Sequence, residues 1–381
     1  MSGRGRVYRR CACRGENGHQ LGTACPRLAE NSKHGTWYFA VDVPTVDGQR
    51  KTMRRGGHST KRAAQAALDD VLDRTRQKVR LDDRETLAAY LAGWLDEKAL
   101  VRKAKTMDGY RRYVDQDIVP ALGAVRLEQL DHDHIRRFGN DLTKAGRGAV
   151  TVRRILAVLS SALTDAVKRH RLPHNVAEHV VRPPVETFER VPWTASQLAA
   201  FLDHAQRDRL GPLFEVIAGC GLRRGEALAL RWRDVDLDSR GLYVRRTLSV
   251  VGGRLVFSEP KTATSTGWVG LSMRVVEALK MQRARQAVER AEWGAAYESG
   301  DLVFAKENGA PLRPEIVLRR FRALTASTRL GLFSRTHPSL TDAEAREKLA
   351  EGAEDPLPAI RIHDLRHGAA TLLLGSVLKA T

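Results

Sequence analysis

Three prolines within residues 182–192 (Arg-Pro-Pro-Val-Glu-Thr-Phe-Glu-Arg-Val-Pro) constrain this chain more than any other feature. Proline removes a backbone donor and clashes with the preceding turn, so this segment cannot lie inside a helix and reads as an extended linker. On either side the hydrophobic period differs. Upstream, residues 84–180 repeat apolar side chains at helical spacing. Leu87, Tyr90, Leu91, Trp94 and Leu95 form one stripe. Tyr110, Tyr113 and Val114 mark a helix expected to end at Pro120 and Gly123. Val152, Ile155, Leu156, Leu159, Leu163, Ala166 and Val167 mark a longer helix over 151–169. Downstream, helical patterns near 195–206, 212–220, 273–293 and from Ile316 alternate with strand-like runs at 242–250, 254–258 and 266–271. A short acidic helix is expected over 341–351, ended by Gly352.

Ahead of the helical region, Trp37–Val43 reads as a strand. A turn at Asp47-Gly48 leads to a second, basic strand through Arg54 and Arg55. A helix over 61–78 follows, with Ala64, Leu68, Val71 and Leu72 on its apolar face. Residues 1–35 show little periodicity. The expected fold class is therefore mainly α with small β-sheets (α+β), organised as 1–80, 81–182, a linker at 183–192, and 193–381.

Charge narrows the partner. The chain carries a net charge of +19, and the basic excess is steepest in the first 80 residues, which suits a long polyanion touched by several domains. Arg153, Arg154, Lys168 and Arg169 lie on the polar face of the 151–169 helix and, with Arg54 and Arg55, are the candidate DNA contacts. No apolar run approaches the ~18 residues of a membrane span, and no apolar region follows the basic N-terminus, so neither membrane insertion nor secretion is expected. The expected compartment is the cytoplasm.

Two basic signatures carry the chemistry: Gly221-Leu222-Arg223-Arg224-Gly225-Glu226 and His363-Asp364-Leu365-Arg366-His367. Arg223 follows a glycine able to close one helix and precedes the start of the next, a junction that aims a guanidinium and backbone amides one way. Arg366, three residues after His363, shares a helical face with it. Two guanidiniums can each donate paired hydrogen bonds to phosphate oxygens and offset charge building on phosphorus, the task a metal performs elsewhere. Taken singly, each motif also fits a surface ion pair, Arg223 with Glu226 and Arg366 with Asp364.

Together, with Pro260-Lys261-Thr262 in a turn between them, these motifs make the chain resemble the tyrosine recombinases, or phage integrases. Residues 221–232 are similar to the family's first arginine box, 260–262 to its lysine hairpin and 363–371 to its His-x-x-Arg box. The resemblance implies an arm-type DNA-binding domain, a helical core-binding (SAM-like) domain and a catalytic domain. It implies that Arg223 and Arg366 bind the scissile phosphate, that Lys261 protonates the leaving 5′-oxygen, and that His363 acts as acid, base or hydrogen-bond donor. Glu226 would brace the arginine box and His367 would support it. It further implies a 3′-phosphotyrosyl intermediate formed without metal or other cofactor. The implied partners are double-stranded attachment-type DNA, further copies in a tetramer and a DNA-bending accessory protein.

The seven tyrosines, Tyr8, Tyr38, Tyr90, Tyr110, Tyr113, Tyr243 and Tyr297, all precede the last box, and 14 residues follow His367. The family's nucleophile lies several helical turns after that box. The expectation is a C-terminally truncated recombinase that binds DNA without cleaving it. The alternative is a non-catalytic protein that occupies attachment-type sites or competes with an intact integrase. Cys11, Cys13 and Cys25, with His19 or His34, can supply four zinc ligands, but their spacing is that of no standard ribbon or finger. Reduced thiols are the expected reading there, and Cys220 is expected to be core packing.

Overall fold

The computed structural model describes residues 5–44, 50–76, 85–186, 191–260 and 267–366. The chain divides into two compact units, Met1–Glu186 and Thr187–Thr381.

The first unit opens with a four-stranded antiparallel sheet in the order β2-β1-β3-β4. Its elements are β1 (Arg6–Arg14), β2 (Gln20–Gly22), α1 (Arg27–Glu30), β3 (Thr36–Pro44), β4 (Arg50–His58) and α2 (Lys61–Arg76). The expected strand at 37–43, the basic strand and the helix are present; the Asp47-Gly48 turn lies outside the described residues. Strand β1 was not legible. Its odd-numbered face carries Val7, Arg9, Cys11 and Cys13 in place of a run of large apolar side chains, so its alternation did not stand out. Strand side chains alternate between faces. Phe39, Val41 and Val43 therefore pack together against Leu68 and Val71 of α2, with Val7 and Met53 beside them.

The remainder of this unit is helical: α3 (Leu87–Val101), α4 (Ala104–Tyr113), α5 (Val119–Leu122), α6 (His132–Lys144) and α7 (Ala149–Lys168). The apolar stripes read from sequence meet in one core around Trp94, Ile118, Ile135, Ile155 and Leu163. Buried Tyr90 donates its hydroxyl to the Ala162 carbonyl at 2.8 Å, fastening α3 to α7. Pro120 does not end the second helix. A π-helical turn at Val114–Ile118 joins α4 to α5, and Pro120 sits in the first turn of α5, where its missing N–H is least costly.

The second unit contains α8 (Ala195–Ala205), α9 (Gly211–Cys220), α10 (Arg224–Leu228), β5 (Val235–Asp236), β6 (Gly241–Tyr243), β7 (Thr247–Val251), β8 (Arg254–Ser258), β9 (Trp268–Gly270), α11 (Met273–Trp293), α12 (Pro314–Thr336) and α13 (Asp342–Ala350). The 242–250 run is two strands rather than one: β6 lies between β5 and β9, whereas β7 pairs with β8 in a separate hairpin. Trp193, Phe201, Phe214 and Phe321 pack tilted and edge-on against one another within the core. The acidic helix α13 packs Ala345 and Leu349 on Phe333, apart from that core.

Candidate phosphate-binding site

Helix α9 ends where Gly221 turns left-handed at φ 60°, a conformation glycine adopts without penalty. Leu222 is buried in the core beyond it, and Arg223 is extended as the N-cap of α10. Alternation across this short connection sinks the leucine and leaves the arginine half-exposed. Glu226, one turn into α10, reaches back. Its Oε2 accepts from the Arg223 backbone N–H at 2.9 Å and its Oε1 from the Arg223 guanidinium at 2.7 Å. Glu226 is 5% exposed, so its charge is desolvated and depends on these partners. Gly225 lets α10 approach β7: a Cβ there would lie 2.6 Å from Thr247 Oγ1 and 2.7 Å from the Leu248 carbonyl oxygen.

The second basic signature meets the first here. Ile362 and Leu365 are buried in the same core as Leu222. Arg366 lays its stem over Gly221, with Cγ 3.9 Å from where a Cβ would sit, and brings its guanidinium within 3.8 Å of Glu226 Oε2. Two motifs far apart in sequence thus share one buried carboxylate. One negative charge against two guanidiniums leaves the cluster cationic, and both arginine side chains reach solvent. Such a cluster suits a doubly contacted phosphate.

The surface-pair alternative holds for neither arginine in the form expected. Arg223 does pair with Glu226, but that carboxylate is buried. Asp364 pairs with Arg361 instead of Arg366, accepting from the Arg361 backbone N–H at 2.8 Å and from its guanidinium at 2.8 Å. His363 is exposed in the turn just before the helical residues 364–366, so it and Arg366 do not share a regular helix. Lys261 and His367 lie outside the described residues. Cys220 is half-buried against the core, and burial pushes its thiol up to about 12.

The candidate DNA contacts separate by environment. Arg54 pairs in register with Ala40 and so lies on the sheet face away from α2. That face also holds Arg6, Tyr8, Arg10 and Tyr38, which sequence reading missed. Tyr8 and Tyr38 stack with ring centroids 5.9 Å apart, and the Arg6 guanidinium lies 5.9 Å from the Tyr8 ring. Gly56 keeps this surface flat, since a Cβ there would lie 2.0 Å from the Tyr38 ring. The missed signal was the alternation Arg6, Tyr8, Arg10 along β1. Arg55 points to the other side, 3.8 Å from Glu128. Arg153, Arg154 and Lys168 are exposed on α7. Arg169 is committed to a two-point ion pair with Glu97, which holds the Glu97 carboxyl below its ordinary range.

Three family models match the chain. The phage integrase family matches residues 193–380, an arm DNA-binding domain matches 30–75, and the phage integrase N-terminal SAM-like domain matches 86–143. The chain belongs to the phage integrase family of tyrosine recombinases. Among its relatives in this family, an integrase of Saccharopolyspora erythraea is 22% identical over 89% of this chain and 85% of its own length. A tyrosine recombinase XerC-like protein of Caldanaerobacter subterraneus subsp. tengcongensis is 27% identical over 82% and 89%. The integrase fold is shared with the Tn1549 transposon integrase in complex with circular intermediate DNA (TM-score 0.57, 16% identity, 77% of this chain and 88% of that one). It is shared also with a lambda integrase tetramer bound to a Holliday junction (TM-score 0.51, 18% identity, 89% and 86%). Among the described residues, no helix of this integrase is long and apolar enough to cross a membrane.

Proposed function

We propose that this chain binds double-stranded DNA at specific sites as a recombinase, with Arg223 and Arg366 gripping the phosphate at which strands are exchanged. The shared Glu226 carboxylate carries the reading: it holds the Arg223 guanidinium by a hydrogen bond and has that of Arg366 within 3.8 Å, while leaving the pair net positive. In this scheme residues 1–80 are the arm-binding domain, 81–182 clasp the core site, 183–192 link, and 193–381 hold the scissile phosphate. The open face of the sheet, with Arg6, Tyr8, Arg10, Tyr38 and Arg54, supplies arm contacts, and Arg153, Arg154 and Lys168 supply backbone contacts from α7.

Full strand exchange in this scheme has a tyrosine hydroxyl attack phosphorus while the 5′-oxygen leaves with a proton from Lys261. His363 assists, His367 supports, and a 3′-phosphotyrosyl bond forms. Tetramers assemble on two DNA sites, with a bending protein assisting. Each of the seven tyrosines already has a packing partner. Tyr8 and Tyr38 stack on each other, Tyr110 stacks on Trp94, Tyr243 packs edge-on to Trp268, and Tyr90 and Tyr113 belong to the helical core. Arg290 covers the ring of Tyr297. A polypeptide of residues 1–381 is therefore proposed to bind without cleaving, which also suits an occupant of attachment-type sites that competes with an intact integrase.

The test uses duplexes recovered by the protein from a random pool and rebuilt as nicked suicide substrates. Salt-sensitive binding with no covalent adduct is expected from residues 1–381. An adduct on any of the seven tyrosines overturns the non-cleaving assignment, and binding insensitive to salt overturns the phosphate-contact scheme.

A further inference from the structure

We propose that Cys11, Cys13, Cys25 and His34 form a structural zinc site that staples residues 15–35 to the sheet. The four ligand atoms lie within 4.8 Å of one another. His34 Nε2 is 3.4 Å from Cys13 Sγ and 3.6 Å from Cys25 Sγ. In a tetrahedral zinc centre with ordinary Zn–S and Zn–N lengths, a sulfur–nitrogen edge is about 3.5 Å and a sulfur–sulfur edge about 3.8 Å. The histidine edges are already at that length. The sulfur–sulfur separations, all within 4.8 Å, need close by no more than about 1 Å to reach that geometry.

The backbone explains how the ligands converge. Cys11 and Cys13 are two apart on β1 and so share a face. Cys25 immediately precedes Pro26, the N-cap of α1, and His34 follows that helix just before β3. Arg9, on the same face of β1, donates to the carbonyls of Leu28, Asn31 and Ser32 and so pins the segment that delivers His34. Of the two candidate histidines, His34 joins the cluster.

Packing gives the independent reason for a metal. This corner contains a three-residue strand and a four-residue helix, elements too short to be stable alone. Its apolar cluster is Cys11, Cys25 and Leu28, with Cys13 and Leu21 partly buried, so three of its five members are cysteines. So little hydrocarbon does not hold such a segment, whereas structural zinc contributes folding free energy directly. All four cysteines of the chain are free thiols, and a disulfide within this trio would strand the third. Three thiolates and an imidazole in tetrahedral array select zinc over hard, oxygen-preferring cations. The site lies ahead of most of the matched arm domain, at residues 30–75. It extends β1 so that Arg10 continues the basic open face.

The test measures metal in the full chain after expression in zinc-supplemented medium and dialysis against metal-free buffer. One zinc per chain is expected from mass spectrometry, retained in Cys220→Ser and lost in a Cys13→Ser/Cys25→Ser double variant. Since that variant could unfold, the native protein is also loaded with Co²⁺ alone. Absorption bands of tetrahedral cobalt–thiolate coordination, abolished by added zinc, are expected. Substoichiometric zinc without a tetrahedral cobalt spectrum overturns the proposal. So does zinc retained in the double variant, or a disulfide found among the three cysteines when thiols are counted in denaturant with chelator.

Discussion

Glu226 takes the Arg223 guanidinium on one carboxylate oxygen at 2.7 Å and the Arg223 backbone N–H on the other at 2.9 Å. The carboxylate thus sets both the direction of the side chain and the start of the helix that follows it. Removing it leaves two facing guanidiniums without their shared counter-charge. Glu226→Ala is expected to lower stability by about 1.5–3 kcal/mol, the scale for losing hydrogen bonds to a charged group, because the arginines left behind reach solvent. Glu226→Gln, which preserves shape and one acceptor, is expected to cost less. Urea denaturation of both variants checks the order.

Gly225→Ala is expected to cost about 1–3 kcal/mol, the range for overpacking against neighbours that cannot yield. The added Cβ would meet Thr247 Oγ1 at 2.6 Å and the Leu248 backbone carbonyl oxygen at 2.7 Å, and the backbone atom cannot rotate away. Gly331→Ala, inside α12 where nothing lies within 4 Å, is the helical control and is expected to be neutral or slightly stabilising. Thermal melts of the two variants distinguish them. DNA affinity is expected to fall only in the first, because α10 carries the Arg223–Glu226 pair.

On the open sheet face, Arg54→Ala is expected to reduce the slope of log affinity against log salt by about 0.9, one phosphate contact. Arg55→Ala is expected to change it less, since Arg55 faces Glu128. Deleting residues 1–80 is expected to weaken binding more than Arg223→Ala, because affinity is spread over many phosphates. Equal losses would remove the arm assignment. Fluorescence anisotropy across a salt series measures all three.

The extent to which these features were legible follows from what each depends on. Long apolar stripes such as Val152 to Ala166 specify helices locally, and the arginine boxes carry their own signature. The Glu226–Arg366 approach depends on tertiary packing between segments far apart in sequence, which no local pattern encodes. Strand β1 escaped because cysteines occupy its inner face. Pro120 read as a terminator because a π turn ahead of it is a tertiary accommodation without a sequence marker. The same dependence on folded geometry turns three oddly spaced cysteines into a candidate metal site, where spacing alone favoured free thiols.

In the helical core, Asp165 gives a pH signature. Burial works against its ionisation, yet hydrogen bonds from Lys98 and Trp94 hold its carboxyl below the ordinary range. A depressed folded-state value stabilises above the unfolded value, near ~3.9, and that contribution disappears as pH falls through the folded one. Asp165→Asn is expected to cost on the order of 1 kcal/mol at pH 7. The gap to the parent chain is expected to narrow as pH falls below about 4. Denaturation midpoints across acid pH measure it; a gap that widens toward acid would contradict the sign.

The most direct measurement is a double-mutant cycle on DNA affinity with Arg223→Ala, Arg366→Ala and the double variant, at fixed salt on one selected duplex. If both guanidiniums grip one phosphate around Glu226, their losses are coupled, and the double variant loses less than the sum by about 0.5–3 kcal/mol. Losses that add to within about 0.5 kcal/mol would show two independent arginines and contradict a shared phosphate site.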